Sequence, residues 1–206
     1  MRTRTLVLAT LGGVVAAIGA SNLYQRAATE TVPYTVVARL DDVELRRYPE
    51  TVAVETAADS QTAPFRRLFR YIAGSNTGET EIEMTAPVEM SAGGATIAMT
   101  APVAIGDDDG GRMRFYLPEE YDGETAPQPT DDAVELVTVP ERTLAVRQFS
   151  WRPTEARVER ETDALVEHLD EANVSLAGEP FYMGYDAPWT LPFLRRNEVA
   201  VEVESP

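Results

Sequence analysis

The side chains that most often carry chemistry in proteins are scarce in this chain. Its 206 residues include no cysteine and a single histidine, His168. Without cysteine the chain has no disulfide, no thiolate metal ligand and no thiol nucleophile. The acidic turn at residues 107–109 lacks the alternating ligands and the terminal glutamate of an EF-hand loop, so we interpret it as a solvated turn. The sequence therefore predicts no catalytic residue and no metal site.

The charge of the chain is strongly negative. It has 34 acidic and 18 basic residues, for a net charge of −16, and every basic residue is an arginine. Such a surface repels the phosphate backbone, which argues against a general nucleic-acid binder. The acids are scattered along the chain and not gathered in one block. We interpret them as a halophilic adaptation, since high salt screens their mutual repulsion.

The N-terminal segment has the composition of a membrane or export segment. Residues 6–20 carry no charge and follow Arg2 and Arg4. Their length lies between a signal-peptide core and a membrane span. We predict a membrane anchor in residues 1–26 and a tether in residues 27–33, with the domain on the extracytoplasmic side because of the leading arginines. Cleavage of the segment is the alternative and would give a secreted protein.

One sequence pattern occurs twice in the rest of the chain. Val-Glu-Leu at residues 43–45 leads to Tyr-Pro-Glu and Thr-Val-Ala-Val, which ends at residue 54. Val-Glu-Leu at residues 134–136 leads to Val-Pro-Glu and Thr-Leu-Ala-Val, which ends at residue 146. Alternating residues on both sides of a proline turn are typical of a hairpin. Each copy is followed by a helical stripe, in residues 61–73 and in residues 154–172, and then by more strand.

This duplicated order predicts the fold class. Two pseudo-symmetric ββαββ halves are expected at about residues 34–121 and 133–206. The apolar faces of the helices have to be buried against the sheet. We therefore predict an α+β domain at residues 34–206, a distorted antiparallel β-barrel flanked by two helices and preceded by the N-terminal membrane helix.

Several further motifs follow one another in a fixed order. Met-Thr-Ala-Pro-Val stands at residues 84–88 and again at 99–103, after Tyr-Ile-Ala-Gly-Ser-Asn at 71–76. Tyr-Asp-Ala-Pro at 185–188 and Arg-Arg-Asn-Glu-Val at 195–199 stand near the end. With these motifs the chain resembles the SOUL family of haem-binding proteins over roughly residues 32–203. The resemblance implies a barrel of two halves that binds haem or another tetrapyrrole, non-covalently, in an apolar cleft.

The resemblance also implies where that cleft lies, between the first long helix and a loop near the C-terminus. The helix would supply an apolar wall of Phe65, Phe69 and Ile72. Guanidinium groups bind carboxylates in a two-pronged fashion, and the helix would offer the propionates Arg66 and Arg70. The loop would supply a ring-stacking lip of Trp189, Leu191 and Phe193. Thr190 departs from the basic side chain that some relatives carry there.

Structural roles are the alternative for each of these residues. The apolar residues of the helix could pack on the sheet, and its arginines could pair with surface acids. We expect Arg195, Asn197 and Glu198 to fix a turn and the strand register by hydrogen bonds. His168 lies about a quarter turn from the centre of the second helix's apolar stripe, a poor position for an axial iron ligand.

Binding without a strong axial ligand suits a carrier, buffer or scavenger held at a membrane. Two other functions stay open. One is a tetrapyrrole-modifying enzyme, such as one that removes iron. The other is a binding module for a different small amphipathic molecule, since paired ββαββ halves also resemble the ligand-binding domains of some transcriptional regulators. The sequence leaves the oligomeric state unknown.

Overall fold

The computed structural model describes residues 29–58, 62–91 and 111–204. These residues form two α-helices, α1 (Thr62–Ile72) and α2 (Glu155–Glu171), and a 3₁₀ turn at Pro192–Leu194. They also form nine strands: β1 (Thr35–Leu40), β2 (Val43–Tyr48), β3 (Thr51–Ala57), β4 (Val88–Ser91), β5 (Arg112–Tyr116), β6 (Glu135–Val139), β7 (Arg142–Phe149), β8 (Phe181–Gly184) and β9 (Asn197–Glu202).

All nine strands belong to one antiparallel sheet in the order β1-β2-β7-β9-β8-β4-β5-β3-β6. The centre of this order is the pair β8 and β4, and corresponding strands of the two halves lie on opposite sides of it. The sheet therefore confirms the α+β class and the two pseudo-symmetric halves. β1 is an additional strand at one edge.

The two proline turns do not close hairpins, so that part of the sequence interpretation is wrong. β2 pairs with β7, and β3 pairs with β6, although each proline turn joins neighbours in the chain, β2 to β3 and β6 to β7. Each turn thus carries the chain from one side of the sheet to the other within the same half of the sequence. The first strand of each half pairs with the second strand of the opposite half, which joins the halves into one sheet.

The sheet buries both of its faces. Leu68 and Tyr71 of α1 pack with Phe115 in one core cluster, and Leu165 of α2 packs with Val199 in a second. A third cluster lies on the opposite face of the strands and brings together side chains from β2, β3, β5, β7, β8 and β9. Side chains from distant strands can meet there only because the sheet is strongly curled, as in a half-barrel.

Both helices end in the same way, which is further support for the duplication. At the end of α1, Ser75 N–H donates to Arg70 C=O and Gly74 N–H donates to Tyr71 C=O. At the end of α2, Val174 N–H donates to Leu169 C=O and Asn173 N–H donates to Asp170 C=O. These are Schellman motifs. Gly74 and Asn173 occupy the left-handed position, with φ of 101° and 54°.

Several predicted features lie outside the described residues. They are the membrane segment in residues 1–26, the second Met-Thr-Ala-Pro-Val motif and the acidic turn at 107–109. No helix within the described ranges is long and apolar enough to cross a membrane.

Candidate functional site

Two phenylalanine rings form an aromatic step on α1. Phe65 is half-buried, and its ring meets Phe115 of β5 edge-on at 5.2 Å between centroids. The Phe69 ring lies one helical turn further on, 6.2 Å from Phe65 and nearly parallel to it, at 12°. Phe69 is 48% exposed. The step is therefore anchored in the core at Phe65 and offers an open ring face at Phe69, a geometry suited to stacking a flat apolar molecule.

The other predicted residues of α1 have different environments. Arg66 is exposed, and Arg70 makes only a long contact of 4.0 Å to the Asp131 carboxylate, with most of its side chain in solvent. Both guanidinium groups lie at the surface of the helix that carries the aromatic step. Ile72, in contrast, is buried in the core beneath α1. We therefore leave Ile72 out of the surface of the candidate site.

The C-terminal loop, residues 185–196 between β8 and β9, holds two aromatic side chains in solvent. Trp189 is 69% exposed and Phe193 is 53% exposed, while Leu191 is half-buried. Arg195 donates hydrogen bonds to the Pro188 and Thr190 carbonyls on either side of the tryptophan. Thr190 itself is buried. Arg195 thus braces the loop with the tryptophan side chain outward, and its guanidinium is committed to that task.

The strand register places the start of this loop two strands away from the strand on which Phe65 packs. Phe115, which contacts the Phe65 ring, is paired with Val88 of β4. Val88 is in turn paired with Gly184 of β8. The loop begins at the next residue, so two strand spacings, about 10 Å, separate its start from the Phe115 backbone. A Cβ atom at Gly184 would lie 3.0 Å from the Tyr182 hydroxyl, so a side chain there would require Tyr182 to shift.

A third exposed aromatic residue, Trp151, adjoins the loop and was not predicted. Its N–H donates to Pro192 C=O at 2.9 Å, and its C=O accepts from Asn197 Nδ2 at 2.8 Å. Its backbone has φ of 79°, a left-handed conformation that costs energy for a bulky residue. The indole nevertheless remains 54% exposed. The sequence signal was a tryptophan three residues before the predicted start of α2 at residue 154.

The inner face of the curled sheet contains two buried ionic clusters. Glu198 is fully buried and accepts bonds from Arg46 at 3.0 Å, Arg196 at 2.8 Å and Tyr185 at 2.6 Å. Glu89 accepts bonds from three side chains in the same manner: Arg114, Arg142 and Tyr116. Met183 of β8 is paired with both glutamates, so the clusters lie two strands apart on one face.

A small cavity lies beside the Glu89 cluster. The cavity, lined by residues that include Tyr48, Tyr116 and Arg142, has a volume of about 10 Å³, enough for about one water molecule. The Tyr48 hydroxyl is buried there without a well-formed hydrogen bond. A tetrapyrrole does not fit this cavity, and we take the surface between α1 and the C-terminal loop as the candidate site.

The sequence matches the family model described as "SOUL heme-binding protein" over residues 29–202. The chain belongs to the SOUL family. A search of curated proteins finds no match.

Solved structures show the same fold as this SOUL domain. An uncharacterized conserved protein from Listeria innocua matches with a TM-score of 0.58 and 9% identity, over 81% of this chain and 94% of that one. A hydrolase from Listeria innocua matches with a TM-score of 0.55 and 9% identity, over 82% and 94%. The EcmrR C-terminal domain matches with a TM-score of 0.51 and 12% identity, over 84% and 99%. At these identities the likeness concerns the fold alone.

The motifs typical of the SOUL family have structural roles in this chain. The Asn76 side chain donates to two backbone carbonyls and accepts from two N–H groups, which fixes the turn after α1. Asn197 accepts from the Tyr182 hydroxyl and donates to Trp151 C=O. Arg195 braces the loop, and Glu198 carries a buried ionic cluster. The expectation that residues 195, 197 and 198 act through hydrogen bonds is thus confirmed.

His168 lies in the last turn of α2 and is half-buried. This helix packs on β7 and β9, whereas the Phe65–Phe69 step belongs to α1 on the other half of the sheet. In the part of the chain that the structure describes, no group of three His, Cys, Asp or Glu side chains could hold a metal ion. The geometry therefore gives no support to His168 as an axial ligand.

Buried tyrosines make the SOUL domain sensitive to alkali. Burial and the charge of Glu198 raise the pKa of Tyr185, and burial and the charge of Glu89 raise the pKa of Tyr116. Burial raises the pKa of Tyr48 and Tyr182 as well, and brings the pKa of Tyr71 to about 12. An unfolded tyrosine ionises near pH 10. The stability that these groups contribute is therefore complete below about pH 10 and is lost as the pH rises further.

We expect these five tyrosines to ionise only as the protein unfolds. An absorbance titration of tyrosinate, followed together with circular dichroism, checks this. Their ionisation should coincide with the loss of secondary structure. Complete ionisation of all eight tyrosines before any loss of secondary structure would contradict the buried clusters.

Proposed function

We propose that this SOUL protein binds haem or a related tetrapyrrole at the surface between α1 and the C-terminal loop. The observations that carry the proposal are the half-exposed Phe69 ring of the Phe65–Phe69 step and a loop that holds Trp189 and Phe193 in solvent and starts two strands from Phe115. An exposed aromatic patch on a soluble domain marks an interaction site. The family match supports a tetrapyrrole as the ligand.

The proposed binding mode is stacking and ion pairing without a strong axial ligand. The macrocycle lies on the Phe69 ring, and the lip of the loop covers its other side. Arg66 and Arg70 extend from the same helix and pair with the propionates. Burial of several hundred Å² of apolar surface, reduced by the cost of association, gives an affinity of roughly micromolar.

Such an affinity suits reversible handling of the ligand. We propose that the protein acts as a carrier, buffer or scavenger and is tethered to a membrane by its N-terminal segment. The acidic surface, which we interpret as a high-salt adaptation, leaves the arginines of α1 as local positive groups for an anionic ligand.

A haem titration tests the proposal. The fragment of residues 29–206 contains all three core clusters of the described structure and is the protein to use, in a buffer of high salt. We expect a shift of the Soret band that saturates at an equimolar ratio. An absorbance that grows linearly, as for free haem, would contradict the proposal.

The same samples separate the alternative functions. Product analysis after incubation with haem should return intact haem, whereas metal-free porphyrin would indicate an iron-removing enzyme. Mass spectrometry of the protein from its native host identifies a co-purifying molecule. A different amphipathic compound, together with no Soret shift, would indicate a binding module for that compound.

A further inference from the structure

The exposed tryptophans and one phenylalanine gather at one end of the domain. Trp189 and Phe193 belong to the C-terminal loop, and Trp151 is hydrogen-bonded to Pro192 of that loop. Each is more than half exposed. These two tryptophans are the only ones in the chain. We name the set Trp151, Trp189 and Phe193 the aromatic end.

The backbone of the aromatic end is firmly held. Arg195 binds the carbonyls before and after Trp189, and the Arg196 N–H donates to the Asp186 carboxylate at 2.6 Å. Trp151 is held in a left-handed conformation by bonds on both sides of its peptide unit. Three large rings are thus kept in water by a braced backbone, which indicates a surface prepared for a partner.

The aromatic end carries one exposed cation. The loop itself contains Asp186, and its two arginines are engaged: Arg195 with loop carbonyls and Arg196 with Glu198. Arg152, between Trp151 and Pro153, is exposed. Tryptophan together with arginine is the composition typical of the headgroup region of a membrane, where the ring is half in hydrocarbon and the cation meets anionic lipid.

The start of the described chain lies at the same end of the sheet. The Val32 N–H donates to Ala86 C=O, and the Ala86 N–H donates to Glu30 C=O. Ala86 stands two residues before Val88, which is paired with Gly184 at the start of the C-terminal loop. The eight residues between the apolar segment 6–20 and residue 29 can extend over about 28 Å at most. An anchored N-terminus would therefore keep this end of the domain near the bilayer.

We propose that in the ligand-free protein the aromatic end docks on a lipid bilayer that contains anionic lipids, with Trp151, Trp189 and Phe193 in the headgroup region. The docking requires no bound ligand. Where the proposed function also holds, the tetrapyrrole site opens at the membrane surface. An amphipathic ligand dissolved in the bilayer then reaches the Phe69 ring without crossing bulk water.

Tryptophan fluorescence of the full chain with lipid vesicles tests the docking, because both reporters lie on the proposed surface. Trp151→Asn leaves Trp189 as the only tryptophan, and asparagine tolerates the left-handed backbone. With vesicles of phosphatidylcholine and phosphatidylglycerol, we expect Trp189 emission to shift to shorter wavelength. Spin-labelled lipids with shallow labels should quench it, and aqueous iodide should quench it less than before.

Two outcomes would overturn the proposal. If the chain binds the vesicles while iodide reaches Trp189 as freely as without them, only the N-terminal segment holds the protein. If Trp189 becomes protected without vesicles as the protein concentration rises, the partner is a second copy of the chain. The Soret titration is carried out without vesicles. A finding that haem does not bind is therefore independent of a finding that the domain does not dock.

Variants of the 29–206 fragment give a second measure that does not involve the N-terminal segment. Trp189→Ser should weaken partition into the anionic vesicles by about tenfold, from the lost burial of one indole. Leu176→Ser, at an exposed leucine outside the aromatic end, is the matched control and should leave partition unchanged. Equal partition of the two variants would also overturn the proposal.

Discussion

Replacing Glu198 with alanine should lower the free energy of unfolding by about 3–5 kcal/mol. Glu198 is 0% exposed and is the common acceptor for Arg46, Arg196 and Tyr185. Arg46 is also buried, so the substitution leaves a positive charge inside the protein without its main partner. Removing one member of a buried ion pair is far more destabilising than removing an exposed one.

Urea unfolding followed by circular dichroism measures this effect. Glu204→Ala is the matched control, because Glu204 stands exposed just after β9, and it should change stability by less than about 0.5 kcal/mol. The loss in the Glu198 variant should persist in high salt, since buried charges are poorly screened. A destabilisation of less than about 1 kcal/mol would show that Glu198 is not central to the inner face.

Phe69→Asp should weaken tetrapyrrole binding by at least about 100-fold. The substitution removes the open ring face, worth about 1.5–3 kcal/mol of apolar contact, and puts a negative charge where the ligand carries carboxylates. Because Phe69 is half exposed on the outer side of α1, the fold should survive. The Soret titration of the variant gives the dissociation constant directly.

Val37→Asp is the control for this prediction. Val37 is exposed to a similar degree, and it lies on the edge strand β1, six strands from β5 in the sheet order. The Val37→Asp variant introduces the same charge far from the candidate site. It should bind haem with the dissociation constant of the parent protein. Equal loss of binding in both variants would indicate a general charge effect, and no loss in either would place the ligand elsewhere.

The helices and the duplication could be predicted from the sequence, because both depend on patterns of residues that are close together in the chain. The apolar spacing of residues 61–73 predicted a helix that the structure has at Thr62–Ile72. The repeat of Val-Glu-Leu and the proline turns predicted two equivalent halves, which the sheet order confirms. Leu165 and Leu169 of the second stripe are fully buried, as their helical spacing predicted.

The exchange of strands between the halves was not open to prediction from these patterns. A two-residue turn with proline looks the same whether the strands on either side pair or separate. Which occurs depends on the curl of the whole sheet, a long-range property. For the same reason the Glu89 cluster was missed, since its donors Arg114 and Arg142 come from β5 and β7, distant in the chain.

The candidate site was partly predictable. Spacing placed Phe65 and Phe69 on one face, and family resemblance selected the loop with Trp189. Sequence could not show that Ile72 lies below the surface, because wall and core residues of one stripe have the same periodicity. It also could not show that Trp151 adjoins the loop, because that contact joins residues 41 positions apart, Trp151 and Pro192.

Hydrogen exchange with and without haem, read by mass spectrometry, tests most directly where the ligand lies. Bound tetrapyrrole should slow exchange in α1 and in residues 185–196, and leave the strands of the inner face unchanged. Slower exchange confined to the strands around Met183 and Tyr116 would instead place the ligand against the inner face of the curled sheet and contradict the surface site.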